Sequence, residues 1–156
     1  MTCAFDRGAR RPRPASAPLR RLHRLYRHLA LWVLQSWLAM FFIAAAYAKL
    51  TQPQDLLALL MVWPNGASLT TVRAIGGAEL ALGAAMVSPL ISWRRFGPLM
   101  IASAIILACE AGFMALYHLA NAHFGLAVTC GLLAAMAVVT AWGRWRENPG
   151  EAEASC

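Results

Sequence analysis

Four apolar runs, at about 29–50, 68–91, 97–120 and 124–143, limit this chain to very few folds. Each reaches the ~20 residues that a helix needs to cross the hydrocarbon of a bilayer. Inside hydrocarbon a segment must bond every backbone N–H and C=O itself, so such a run becomes a helix. The segment TQPQDLLALLMVWPNGAS, between the first two runs, is too short and too punctuated to span. Pro53 starts a short interfacial or re-entrant helix there, and Pro64-Asn65-Gly66 ends it. Pro89 with Ser92-Trp93-Arg94-Arg95 closes the second run, Gly97-Pro98 opens the third, and Asn121-Ala122-His123 makes a tight turn into the fourth. The predicted fold is all-α: a polytopic four-transmembrane-helix bundle with a short interfacial helix between the first and second spans.

Composition agrees with lipid as the solvent. Of 156 residues, 60% are hydrophobic and 13% are charged, and the mean hydropathy is +0.53. A soluble domain carries about 25% charged residues. The net charge of +7 comes from basic residues that flank apolar runs, which speaks for membrane topology and against nucleic acid. Eight of 13 arginines precede residue 28. Residues 1–28 divide into a disordered basic tail over 1–18 and an amphipathic segment, LRRLHRLYRH, expected to lie on anionic headgroups. The membrane domain is 29–143, and 144–156 is a disordered tail.

Charge also predicts orientation. The amino end, the 92–96 turn and the 144–146 end hold 12 basic residues, whereas the opposite connections hold Lys49 and Arg73. Both termini are therefore expected in the cytoplasm of a cell that places this chain in its inner (plasma) membrane. A basic start, LALWVLQSWLAMFFI and Ala46-Tyr47-Ala48 together look like a cleavable signal peptide. The long basic region, Trp32, Gln35 and Trp37 argue against cleavage, which would leave three spans. The first span is expected to be retained.

Against this apolar background Glu79 and Glu110 stand out, because a carboxylate at membrane depth costs a few kcal/mol and normally faces protein. Counting ~1.5 Å per residue, Glu79 lies ~17 Å and Glu110 ~16 Å from the outer ends of their helices, and Arg73 ~7–8 Å. Ser103, Glu110 and Tyr117 are spaced by seven, with His118 beside the stripe. Gly76 and Gly83 flank Glu79 on one face, which lets a neighbouring helix come close. Gln35, Phe42, Ala46 and Lys49 share a face of the first span, and Ala127, Gly131 and Ala135 form a ridge of small residues on the fourth. The economical arrangement points all four faces inward. The expected site is a polar pocket near the outer side, made of Lys49, Arg73, Glu79, Glu110, Tyr117 and His118. Two readings remain open: these residues lock the helices together, or they line a ligand pocket. No nucleophile, oxyanion hole or metal-ligand set is marked, and the cysteines lack zinc spacing. At ~1.5 Å per residue Cys109 and Cys130 differ in depth by ~6 Å, which predicts no disulfide between them.

The stretch Phe42-Ile-Ala-Ala-Ala46-Tyr-Ala-Lys49-Leu50 resembles the F-x-x-x-G-x-x-K-L signature of DoxX-like membrane proteins. Gly76-Gly-Ala-Glu79-Leu80-Ala-Leu-Gly83 is similar to that family's second-helix G-x-x-E-L-x-x-G. Gly112 to His118 resembles its third helix, and Trp142-Gly143-Arg144 its closing aromatic-Gly-Arg. The resemblance covers about 30–146, with Ala46 where the family usually has glycine. It implies a four-helix membrane bundle, a functional set of Lys49, Glu79 and His118, and two classes of role. One is a small subunit of a quinone-linked redox complex, whose polar pocket takes a lipid-soluble ligand such as a quinone. Another is an assembly or stabilising partner for other membrane proteins. A stand-alone enzyme fits least, and Glu110 rests on the physical argument alone.

Overall fold

The computed structural model describes residues 17–147. The expected tails, 1–18 and 144–156, lie outside the described residues except at their inner ends, where 17–18 open α1 and 144–147 close α5 as helix and not as disordered chain. Helix α1 is Ala17–Thr51, α2 Gln54–Met61, α3 Leu69–Val87, α4 Trp93–Ala120 and α5 Phe124–Glu147. Single 3₁₀ turns at Trp63–Gly66 and Ser88–Leu90 link α2 to α3 and α3 to α4. No strand occurs among the described residues.

Among the described residues three stretches are long and apolar enough to cross a membrane: Arg21–Thr51, Arg95–Ala120 and Phe124–Glu147. The second expected span is not one of them. Its helix stops at Val87 instead of reaching 91, because Pro89 has no N–H to continue the ladder. Arg73, Glu79 and the two threonines of its first turn dilute its apolarity. The segment expected to lie in the interface at 19–28 is the opening of α1, which runs without interruption into the first apolar run.

Helix α1 packs on α3 and α5, α3 on α4, and α4 on α5. Each turns one helical stripe inward. On α3 the stripe is Val72, Gly76, Glu79, Gly83 and Met86; on α1 it includes Leu31, Gln35, Leu38, Phe42, Ala46 and Lys49. Leu38, Phe42, Met86, Leu107 and Leu133 form the centre of the core. The outer faces are as apolar as the centre: Val33 is 70% exposed and Phe113 67%. In water such a surface would be a liability, whereas lipid makes it the solvated side.

Close approach of α1 and α3 depends on glycine. A Cβ on Gly76 would stand 2.9 Å from Lys49 Cβ and 3.2 Å from the Ala46 carbonyl oxygen, and one on Gly83 would stand 2.8 Å from Ile43 Cγ1. The ridge on α5 does not follow suit. Ala127 is buried, but Ala135 is exposed and a Cβ on Gly131 would meet nothing within 4 Å. The expectation that every small-residue face points inward fails there, because the inward stripe of α5 runs instead through Leu133, Ala137, Thr140, Ala141 and Arg144.

Candidate functional site: a buried ion pair at one end, an arginine clamp at the other

Because the start of α1 touches the end of α5, with Arg27 Nε 3.6 Å from Glu147 Oε1, the molecule has a terminal end and an opposite, loop end. The loop end holds most of the expected site. Lys49, from the last turn of α1, donates its ammonium to Glu79 Oε1 of α3. Lys49 is 5% exposed and Glu79 3%. The missing side chain at Gly76 leaves space for the lysine stem. Trp63, in the turn after α2, places its ring 5.7 Å from Lys49 Nζ and so shares the cation.

Beside this pair is a cavity of about 250 Å³. Lys49, Glu79, Glu110, His118 and Thr129 supply its polar lining; Phe42, Met114, Leu126 and Leu133 are among its apolar walls. Leu60, Met61 and Trp63, from α2 and the following turn, line it as well. Two buried polar atoms of this lining, Glu79 Oε2 and His118 Nδ1, have no hydrogen-bond partner. A buried polar atom without a partner costs about 1–3 kcal/mol.

His118 is held by the turn that ends α4. Its carbonyl accepts from His123 N at 2.8 Å, and the Leu119 carbonyl accepts from Ala122 N at 3.2 Å. These two bonds are those of a Schellman cap. The cap puts Ala122 at φ 58°, in the left-handed region that favours glycine.

Four of the six expected site residues thus meet at one cavity, and two do not. Arg73 is exposed on α3 and absent from the lining. Tyr117 is 37% exposed and also outside the lining; its ring packs edge-on against that of His118 at 5.5 Å. Trp63 and Cys130, which line the cavity, were not read from the sequence.

The terminal end holds a second buried cation that sequence reasoning left unassigned. Arg144 is fully buried. Its Nε donates to Gln35 Oε1 at 3.2 Å and its Nη1 to Glu147 Oε2 at 3.1 Å. Its guanidinium lies 4.8 Å from the Trp32 ring centroid and 4.9 Å from that of Trp93. Gln35 in turn donates through Nε2 to the Met86 carbonyl, tying α5 to α3 through α1. Trp32 donates to His28 Nε2 at 3.0 Å, so a neutral His28 carries its proton on Nδ1, toward Glu147 Oε2 at 3.3 Å. The available signals were Gln35 on the Lys49 face and the closing Trp-Gly-Arg.

The arrangement defines a helical membrane protein with charged groups buried at both ends of its packed helices. The DoxX-like family model matches residues 33–141, and the chain belongs to that family. No curated protein and no solved structure matches it.

Proposed function

We propose that this chain is a small four-span subunit of the cell's inner (plasma) membrane, and that its loop-end cavity receives a lipid-soluble ligand of the quinone class supplied within a redox complex. In this reading α3 is the fourth span: its charged side chain at depth, Glu79, is neutralised by Lys49, and beyond Arg73 its outward face, Ala74, Gly77, Ala78, Leu80, Ala81 and Ala84, carries no polar side chain. Both termini lie on the cytoplasmic side, where the basic residues accumulate.

The observation that carries the reading is the pair of unpartnered buried atoms, Glu79 Oε2 and His118 Nδ1, in a cavity whose walls are mostly apolar. A ring with oxygen substituents matches both properties. Its faces suit Phe42 and Leu133, a carbonyl accepts from Lys49 or His118, and a hydroxyl donates to Glu79. At about 250 Å³ the cavity is near the lower limit of the ~300–1,000 Å³ of drug-sized sites. It takes a single-ring head and leaves an isoprenoid tail to the lipid. The residues bind and orient the head; the role is reception, not catalysis by the chain alone.

The test is ligand-dependent thermal stabilisation of the purified chain by a short-tailed ubiquinone. The double variant Lys49→Met/Glu79→Gln removes both charges together and keeps the bundle folded. Stabilisation seen in the wild type and lost in this variant supports the reading; equal stabilisation of both defeats it.

A second reading, an assembly or stabilising partner for other membrane proteins, draws on the small-residue face of α5. Gly131 and Ala135 are open to an incoming helix, and small residues are what such contacts use. Purification in mild detergent should then recover a stoichiometric membrane companion that Gly131→Leu releases.

A further inference from the structure

We infer that the terminal end carries a built site for the phosphate headgroup of an anionic phospholipid, in a cleft between the start of α1, the start of α4 and the end of α5. The inference stands independently of the loop-end cavity. The cleft measures about 700 Å³ and is lined by Arg21, Arg24, Arg27, Arg146, Trp93 and Glu147, with Leu25 and His28.

Its charge is nearly all of one sign. Glu147 is the one acid in the lining, and its carboxylate is already taken by Arg144 at 3.1 Å, His28 at 3.3 Å and Arg27 at 3.6 Å. Arg21 and Arg24 are exposed and have no carboxylate partner among the described residues. Arg146 lies over the Trp142 ring at 3.9 Å, which fixes its plane while its N–H edges stay available. Guanidinium groups converging from two helices 119 positions apart (His28 and Glu147 mark the junction) form a cleft and not a stripe. The planar N–H fork of arginine matches the two free oxygens of a phosphodiester.

Position selects the source of that phosphate. The arginines of α1 end at Arg27, immediately before the apolar run that begins near 29. At the same end Tyr26, Trp142 and Trp145 are 64%, 57% and 63% exposed, as aromatic residues are at headgroup level. Leu25 and Trp93 give the cleft an apolar side, suited to a glycerol backbone entering from the bilayer. Basic pockets between membrane helices at this depth take anionic lipid headgroups, and each arginine near the surface gives roughly a fivefold preference.

The experiment is native mass spectrometry of the full chain in neutral detergent, titrated with phosphatidylglycerol or phosphatidylcholine bearing matched oleoyl chains. Three free arginines predict roughly a 100-fold preference for phosphatidylglycerol. The variant Arg21→Gln/Arg24→Gln/Arg146→Gln should lose it, while Arg73→Gln, at the other end, keeps it. A single exposed change, Arg24→Glu, should weaken phosphatidylglycerol by more than fivefold and tests the site without burdening the fold. No lipid preference in the wild type, or an unchanged one in the triple variant, overturns the proposal. So does displacement of the lipid by millimolar glycerol 3-phosphate, which would assign the cleft to a soluble phosphate compound.

Discussion

The two ends of this molecule each bury a cation, and they treat it oppositely. At the terminal end Arg144 is filled in: two tryptophan rings cover it, and Gln35 and Glu147 accept from it. Of its nitrogens Nη2 alone lacks a partner. At the loop end Lys49 has one carboxylate and one ring, and a cavity beside it with unpartnered acceptor and imidazole atoms. Burying a charge is costly at both ends. Where the neighbours saturate the cation, the result is a clamp; where they leave it half-served, the result is a place for something else.

The largest expected effect tests the clamp. Arg144→Met should cost about 3–5 kcal/mol, since it strips a buried pair of one member and leaves Gln35 Oε1 unbonded. Arg144→Lys should recover little of this, because an ammonium cannot lie flat between two rings and fork to two acceptors. Thermal unfolding in detergent measures both, and full recovery by lysine would erase the distinction between the ends.

Glu79→Gln should cost about 3 kcal/mol, at the low end of that range, because the cavity lets water reach the stranded Lys49. Adding Lys49→Met should return most of the loss. A double variant no more stable than either single change would show that the pair is not one coupled unit.

Smaller effects separate tight from open packing. Gly76→Ala should destabilise by about 1–3 kcal/mol, because its Cβ meets Lys49 Cβ and the Ala46 carbonyl. Gly131→Ala should be neutral or favourable by up to about 1 kcal/mol, since nothing stands in its way and alanine favours helix. Equal costs at the two glycines would contradict the close approach of α1 at Gly76 and the open face at Gly131. Smallest of all, Ala122→Gly should stabilise by about 0.5–1 kcal/mol, read as a rise in unfolding temperature, by relieving the left-handed residue of the cap below His118.

Much of this was legible beforehand. Pro53, Pro64-Asn65-Gly66 and Asn121-Ala122-His123 fall between helices as expected, and Gly76, Glu79 and Gly83 share the inward face of α3. Arg73 and Tyr117 misled for reasons of helical phase. Arg73 is six residues before Glu79, which turns it about 120° away from the cavity. The stripe Ser103, Glu110, Tyr117 rotates outward as it descends: Ser103 is 1% exposed, Glu110 half-buried and Tyr117 37% exposed. A seven-residue repeat drifts by about 20° per heptad on a straight helix, so by the third member the inward place has passed to His118. The arginine clamp was harder to see, because its parts come from the two ends of the chain and from the 88–93 turn. Only tertiary packing places them together.

One geometric property of α1 has a mechanical corollary. Its 35 residues make a rod of about 52 Å, against hydrocarbon about 30 Å thick. The same stiff body carries Arg21, Arg24 and Arg27 at one tip and Lys49 near the other. A torque applied to the guanidinium-bearing tip is therefore felt at the ammonium-bearing one insofar as the rod stays straight; a single body joins the two buried cations' neighbourhoods.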